Sequence, residues 1–135
     1  MKLTTKSEYA LLALVHLARQ EPEAFLTVRD IAAARNIPRK YLEQILLALK
    51  QSRYLRSRKG QQGGYQLARP ATEINLADVI RLLDGSLAPT DSVSRYFYAS
   101  TPIEGETRLL GVFREIRDFA AETLERTSLA DVARG

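Results

Sequence analysis

Two helix-start signals eleven residues apart, with a glycine-rich hairpin behind them, constrain this chain more than any other stretch of it. Thr27-Val28-Arg29-Asp30 has the form of a capping box, a hydroxyl at the cap and a carboxylate three residues on. A short helix is therefore expected from there to about Arg35. Asn36 suits the left-handed turn that closes such a helix, and Pro38 suits the first turn of the next, where its missing N–H costs nothing. That second helix should run from Pro38 to about Gln51. Its apolar Tyr41, Leu42, Ile45, Leu46 and Leu49 fall at helical spacing on the core side. Two short helices joined in this way make a helix-turn-helix. Tyr54 to Arg58 then alternates like a strand, Lys59-Gly60-Gln61-Gln62-Gly63-Gly64 reads as a turn, and Tyr65 to Ala68 as the returning strand. A hairpin in that place is a wing.

The flanks read as helices of two kinds. Thr5-Lys6-Ser7-Glu8 has the capping-box form again, and Tyr9 to Arg19 behind it is apolar at nearly every position except His16. Such a helix is buried on most sides, a central beam with His16 as a packed, hydrogen-bonded histidine. Asn75 caps a further helix that ends at Asp84-Gly85. Residues 86–105 hold two prolines and no clean period, which predicts a long loop with at most a turn of helix. Glu106 to about Thr127 is the longest amphipathic helix. Its Leu109, Val112, Phe113, Ile116, Phe119, Ala120 and Leu124 are expected to form one stripe, with arginines and glutamates opposite. Ser128 suits the cap of a last short helix ending near Ala133. The fold class is mainly α: a winged helix-turn-helix domain over 1–85, a loop over 86–105, and a helical extension over 106–135. A chain of 135 residues can bury one sizeable core.

Charge singles out the same stretch. Residues 29–69 carry ten Lys or Arg against Asp30 and Glu43, whereas residues 1–28 are balanced and residues 70–135 carry seven Arg against eleven acids. The whole positive excess behind the net charge of +4 thus sits in one 41-residue block. A cationic helix-turn-helix fits double-stranded DNA, which presents a line of phosphates for affinity and base edges for specificity. Recognition helices usually read bases with their N-terminal residues. Arg39 or Lys40 could donate to guanine, Gln44 could pair with adenine, and Glu43 could accept from the cytosine amino group. The alternative for Glu43 is a solvated acid paired with Lys40 or Lys50. At the hairpin tip, Arg58, Lys59, Gln61 and Gln62 can read a minor groove, and the glycines let the backbone approach it; a plain tight hairpin is the alternative. Lys50, Arg53, Arg56 and Arg69 contact phosphates or simply solvate their face.

Other chemistries find little support. Without cysteine there is no disulfide, thiolate metal site or cysteine nucleophile, and a single histidine makes a metal role for His16 improbable. No phosphate loop, dinucleotide fingerprint or nucleophile elbow is present, so an enzyme is not expected. No cofactor is expected. Glu8 and His16 interrupt the first apolar stretch, which is also too short to span a bilayer, so a cytoplasmic protein is expected. Tyr96-Phe97-Tyr98 lines an effector pocket, makes a protein contact, or merely packs its loop.

Three runs of residues resemble one family. Lys2 to Ala10 is similar to its opening, Ile37-Pro38-Arg39-Lys40-Tyr41-Leu42-Glu43-Gln44-Ile45 to its recognition-helix signature, and Gly60-Gln61-Gln62-Gly63-Gly64-Tyr65 to its wing. The family is that of the bacterial winged helix-turn-helix regulators of the IscR, NsrR and CymR type. The resemblance implies a homodimer in which the long helix crosses its partner and the terminal short helix packs on the neighbouring DNA-binding lobe. It also implies Tyr41, Glu43, Gln44, Lys59 and Gln61 as DNA contacts, and the candidate set is completed by Lys2, Thr27, Arg39, Lys40, Lys50, Arg58, Gln62 and Gly64.

The departure from the family concerns its sensor. Cluster-binding members hold iron–sulfur through three cysteines in the loop before the long helix, and residues 86–105 have none. Ser92 stands about where the first would be, and Leu110 close to where a histidine ligand falls in IscR. Thiolates are the natural ligands of such clusters, so none of the usual kind is expected, which leaves sensing by a small molecule, by a protein partner, or no sensing at all. The expected function is a sequence-specific dimeric regulator, a repressor. The competing reading is a protein-interaction adaptor that keeps the winged fold without reading DNA.

Overall fold

Ala10, Ala13 and Leu14 are wholly buried and Leu17 nearly so, which makes α1 (Thr5–Ala18) the beam of the domain. The computed structural model describes residues 1–134. Along the chain follow α2 (Val28–Arg35), α3 (Arg39–Gln51), the strands β1 (Leu55–Arg58) and β2 (Gly64–Leu67), α4 (Leu76–Asp84), α5 (Thr107–Glu125) and α6 (Leu129–Ala133). Short 3₁₀ turns lie at Ala71–Glu73 and Asp91–Val93, the second being the only helical turn in the long loop among the described residues. Helix α1 touches α2, α3, α4, α6 and β2.

Local chemistry sets most element ends. Thr27 caps α2 in a reciprocal box, its hydroxyl accepting from the Asp30 N–H at 3.0 Å while its own N–H reaches the Asp30 carboxylate at 3.4 Å. Asn36 closes α2 in the left-handed region at φ 55°. Pro38 occupies the cap of α3 and not its first turn, and no side chain caps that helix. Its far end closes through Arg53, which takes φ 67° while the N–H groups of Arg53 and Tyr54 bond back to Lys50 and Leu49 at 2.9 Å.

The start of α1 differs from expectation. Thr4, and not Thr5, is the cap, its Oγ1 accepting from the Ser7 N–H at 3.2 Å. The reason is tertiary. The same Thr4 hydroxyl donates to the Asp84 carboxylate at 2.6 Å, and the Thr4 N–H reaches that carboxylate at 3.2 Å. Against the opposing push of burial, the Thr4 hydrogen bonds and the nearby Lys6 hold the Asp84 carboxyl below its ordinary value. His16 is half-buried, and its hydrogen bond comes through the backbone, from Gln20 Nε2 to its carbonyl at 3.0 Å. Burial, then the charges of Arg35 and Arg19, lower its pKa, so the ring is neutral at pH 7.

The wing is antiparallel, with Leu55 opposite Leu67 and Arg58 opposite Gly64. A third segment fastens it: Leu26 and Tyr65 exchange backbone bonds of 2.8 and 2.7 Å, tying β2 to the entry of α2. That approach requires glycine at 64. A Cβ there would lie 2.3 Å from the Leu26 carbonyl oxygen, and φ is +141°.

The C-terminal helices correct two expectations. Ser128 caps α6 as expected, but α6 returns to its own lobe: Leu129 is wholly buried in the core built on α1, its N–H bonds to Ile74 at 2.7 Å, and Arg19 Nε donates to Ala133 at 2.9 Å. The seven apolar residues of α5 do not form one stripe. Phe113 packs with Ala88, Val93 and Leu110, and Leu124 packs with Ala77, Ile80, Leu87 and Ala121, all within the chain. Leu109, Val112, Ile116 and Phe119 point the other way and are exposed, with Ala120 half-buried between.

Candidate nucleic-acid interface

Helix α3 divides its residues cleanly between the core and the solvent. Leu42, Ile45, Leu46 and Leu49 are wholly buried, which at about 1.5–3 kcal/mol per side chain fixes the helix on the domain. Tyr41 is half-buried, its ring edge-on to Tyr9 with centroids 5.5 Å apart, and this contact locks α3 to α1. Arg39, Lys40, Glu43, Gln44 and Lys50 are all exposed. Glu43 pairs with Arg39 and not with Lys40 or Lys50, and only at 3.8 Å between exposed side chains. A pair of that kind is worth well under about 1 kcal/mol, so both groups are free to turn to a ligand. No side chain caps the start of α3, and the helix dipole there favours an anion.

The basic block sorts into anchored and available cations. Arg58 lies 4.2 Å over the Phe25 ring and donates to the Gln62 carbonyl at 2.7 Å, so it braces the wing tip. Arg56 donates to Gln66 Oε1 at 2.6 Å, and the buried Gln66 in turn donates to Ala24 at 3.2 Å. Arg69 lies 4.2 Å over Tyr54. Lys59, Gln61 and Gln62 remain exposed at the tip. Gly64 serves the close approach to Leu26, and Thr27 spends its hydroxyl on the cap of α2. Lys2 is exposed beside a segment whose hydrogen bonds run to Asp84 and Ala88, not to α3 or the wing. Sequence reasoning missed Phe25 and Gln66 as wing braces. The signal for Gln66 was available, since a buried amide in a strand needs partners.

The Rrf2 family model, described as an iron-dependent transcriptional regulator, matches residues 3–135. The chain belongs to the Rrf2 family of transcriptional regulators. Rv1287 of Mycobacterium tuberculosis, assigned as an HTH-type transcriptional regulator, is 43% identical over 136 residues, covering 100% of this chain and 83% of the relative. The HTH-type transcriptional regulator CymR of Bacillus subtilis is 30% identical over 98% of this chain and 90% of its own length. The structure of B. subtilis CymR, titled the global cysteine regulator, superposes with a TM-score of 0.80 over 99% of this chain and 97% of that one. T. potens IscR superposes with a TM-score of 0.77 at 27% identity, over 99% of this chain and 87% of that chain. These matches carry the winged-helix fold with its long C-terminal helix and place the function in transcription, not catalysis.

The loop over residues 86–105 of this Rrf2 member holds itself together with hydroxyls. Ser92 is buried, and its Oγ accepts from Thr101 Oγ1 at 2.7 Å, with Thr90 Oγ1 also within 3.5 Å. Glu104 accepts from Ser100 Oγ at 2.5 Å and from the Tyr98 hydroxyl. Tyr96 stands exposed beneath Arg81, 4.8 Å from its ring centroid, and Phe97 and Tyr98 are also exposed. The space among Arg81, Ser94, Tyr96, Phe97 and Arg117 is about 10 Å³, room for about one water. Arg95 of the loop grips Asp118 on α5 at 2.8 Å, and Arg117 of α5 donates to the Val93 carbonyl at 2.8 Å, which together fasten the loop to that helix. The family description names iron, yet the residues here do not fit a cysteine-ligated cluster. The chain offers no thiolate, Ser92 and Thr101 are engaged with each other, and no group of three or more potential ligands gathers among the described residues.

Proposed function

We propose that this chain is a homodimeric, sequence-specific DNA-binding repressor that reads the major groove with α3 and braces on the minor groove with its wing. The observation that carries the reading is the split of α3: four wholly buried residues on one face, and Lys40, Glu43 and Gln44 exposed on the other with Arg39 beside them. Lys40 and Arg39 supply phosphate or guanine contacts, Gln44 an adenine contact, and Glu43 an acceptor for the cytosine amino group. Lys59 and Gln61 reach the adjacent groove from the wing tip. Lys50 adds phosphate contact along the same face.

Dimerisation rests on α5. Leu109, Val112, Ile116 and Phe119 make one exposed apolar row, and a row of that size on a helix calls for a partner. A second copy laid across it places two α3 helices for half-sites about one helical turn apart, or a small multiple of that. The domain reading head then spans 1–85 and the dimer element 106–135, with 86–105 as the loop between them. No helix among the described residues is long and apolar enough to cross a membrane, and a cytoplasmic site of action accords with the proposed target.

Footprinting on duplex DNA from around its own gene tests the reading. The expected result is protection of a near-palindromic site and repression of a template bearing it in an in vitro transcription assay. Binding that is sequence-blind and vanishes with salt would leave the adaptor reading in its place.

A further inference from the structure

Leu47 is 49% exposed in a helix whose other leucines, Leu42, Leu46 and Leu49, are wholly buried. A lone exposed leucine is ordinary on a protein surface. The position of this one is not. Lys40, Glu43, Gln44 and Leu47 stand at i, i+3, i+4 and i+7 along α3, which puts them on one helix face. All four are exposed, so Leu47 extends the row that the proposed function assigns to base reading.

Each of the first three carries a donor or acceptor for a base edge; a leucine carries neither. What its branched end can recognise in the major groove is an apolar group, and the groove presents one, the C5 methyl of thymine. We propose that Leu47 packs on a thymine methyl and makes α3 selective for T at one position of each half-site. The inference rests on α3 being the DNA-reading helix. Leu47 lies about 5 Å along the helix axis from Glu43 and Gln44 at about 1.5 Å per residue. With base pairs about 3.4 Å apart, the thymine falls one or two pairs from the pair that Glu43 and Gln44 touch.

Uracil in place of thymine deletes that methyl and nothing else, so it isolates the contact. The experiment uses the full chain to select from a pool of random duplexes. The best-enriched duplex is then resynthesised with uracil replacing thymine one position at a time, and affinity is read by fluorescence anisotropy. Wild type is expected to lose about fourfold at one thymine per half-site, the effect of one buried methyl. Leu47→Ala should bind the thymine duplex about as weakly as wild type binds the uracil duplex, and be indifferent to the exchange. Lys40→Ala should weaken both duplexes equally and keep the thymine-to-uracil ratio. An unchanged melting temperature for Leu47→Ala separates these effects from loss of fold.

A ratio of one at every position in wild type, or a ratio that survives in Leu47→Ala, overturns the proposal while DNA reading stands. Leu47→Ala with its ratio intact and its oligomeric state altered assigns the leucine to a protein contact, which also overturns it. Failure of the selection to enrich any sequence overturns both the proposal and the reading beneath it.

Discussion

Helices α3 and α5 are both amphipathic, both lack a side-chain cap, and both turn a face away from the chain's own core. What they turn outward differs. Helix α3 buries Leu42, Ile45, Leu46 and Leu49 completely and exposes cations, Glu43 and Gln44. Helix α5 buries little beyond Leu110 and Ala121, and exposes Leu109, Val112, Ile116 and Phe119, the last 72% exposed. A polar face can stand in water until a ligand arrives; an apolar row of that length is destabilised there until something covers it. The two faces therefore ask for different partners, a nucleic acid for α3 and a protein surface for α5.

The comparison breaks most sharply at α5. Ile116→Glu with Phe119→Glu should shift the proposed dimer to monomer, weakening self-association by about a thousandfold or more in sedimentation equilibrium. Circular dichroism should be unchanged, because neither residue belongs to the core. A dimer of unaltered affinity would remove the distinction between the two faces.

Next in size is a change on the reading side. Gly64→Ala places a methyl 2.3 Å from the Leu26 carbonyl oxygen. It should cost about 3 kcal/mol in urea unfolding and impair DNA binding through a displaced wing. A variant of full stability would show that the wing is not fixed by this approach.

Side chains on α3 and the wing should then separate by kind. Gln44→Ala should lose about 1–3 kcal/mol against the preferred base and relax selectivity at that position. Lys59→Ala should weaken all sequences alike and lower the salt slope of binding by about one. Equal loss on every sequence for Gln44→Ala would demote α3 from reader to phosphate binder.

The smallest effect concerns how α5 holds the loop. Hydrogen bonds from Arg117, then from Arg95, hold the Asp118 carboxyl below its ordinary value. A depressed folded-state pKa contributes stability above the unfolded value, about 3.9, and loses it as pH falls through the folded value. Asp118→Asn should therefore lower thermal stability slightly at pH 7, and the gap from wild type should close as the pH falls below about 4. A gap that persists in acid would mean the pairing is not what fastens the loop. DNA affinity of the α3 face should not follow this titration.

Much of the reading side was legible in the residue order. The Thr27 capping box, the left-handed Asn36, the Asn75 and Ser128 caps and the glycine turn all came through where the sequence placed them. The basic block was legible as a charge density, but its division was not. Arg58 braced on Phe25, Arg56 on Gln66 and Arg69 on Tyr54 are indistinguishable in sequence from Lys59, which stays exposed. Helix α5 was legible as amphipathic, whereas its apolar residues split between two faces because apolar side chains at a 3.6-residue period occupied both.

The sequence by itself determined the local elements. A cap, a left-handed turn or a tight hairpin is decided by side chain and backbone groups within three or four residues, and those neighbours are given by the chain order. The tertiary structure alone decided the rest. Asp84, eighty residues from Thr4, moved the start of α1 back by one residue. Ile74 and Arg19 drew α6 onto its own lobe, and the fit of Leu110 and Ala121 against the loop and α4 chose which face of α5 was left outward. Such contacts depend on which surfaces meet after folding, and no window of sequence contains both partners.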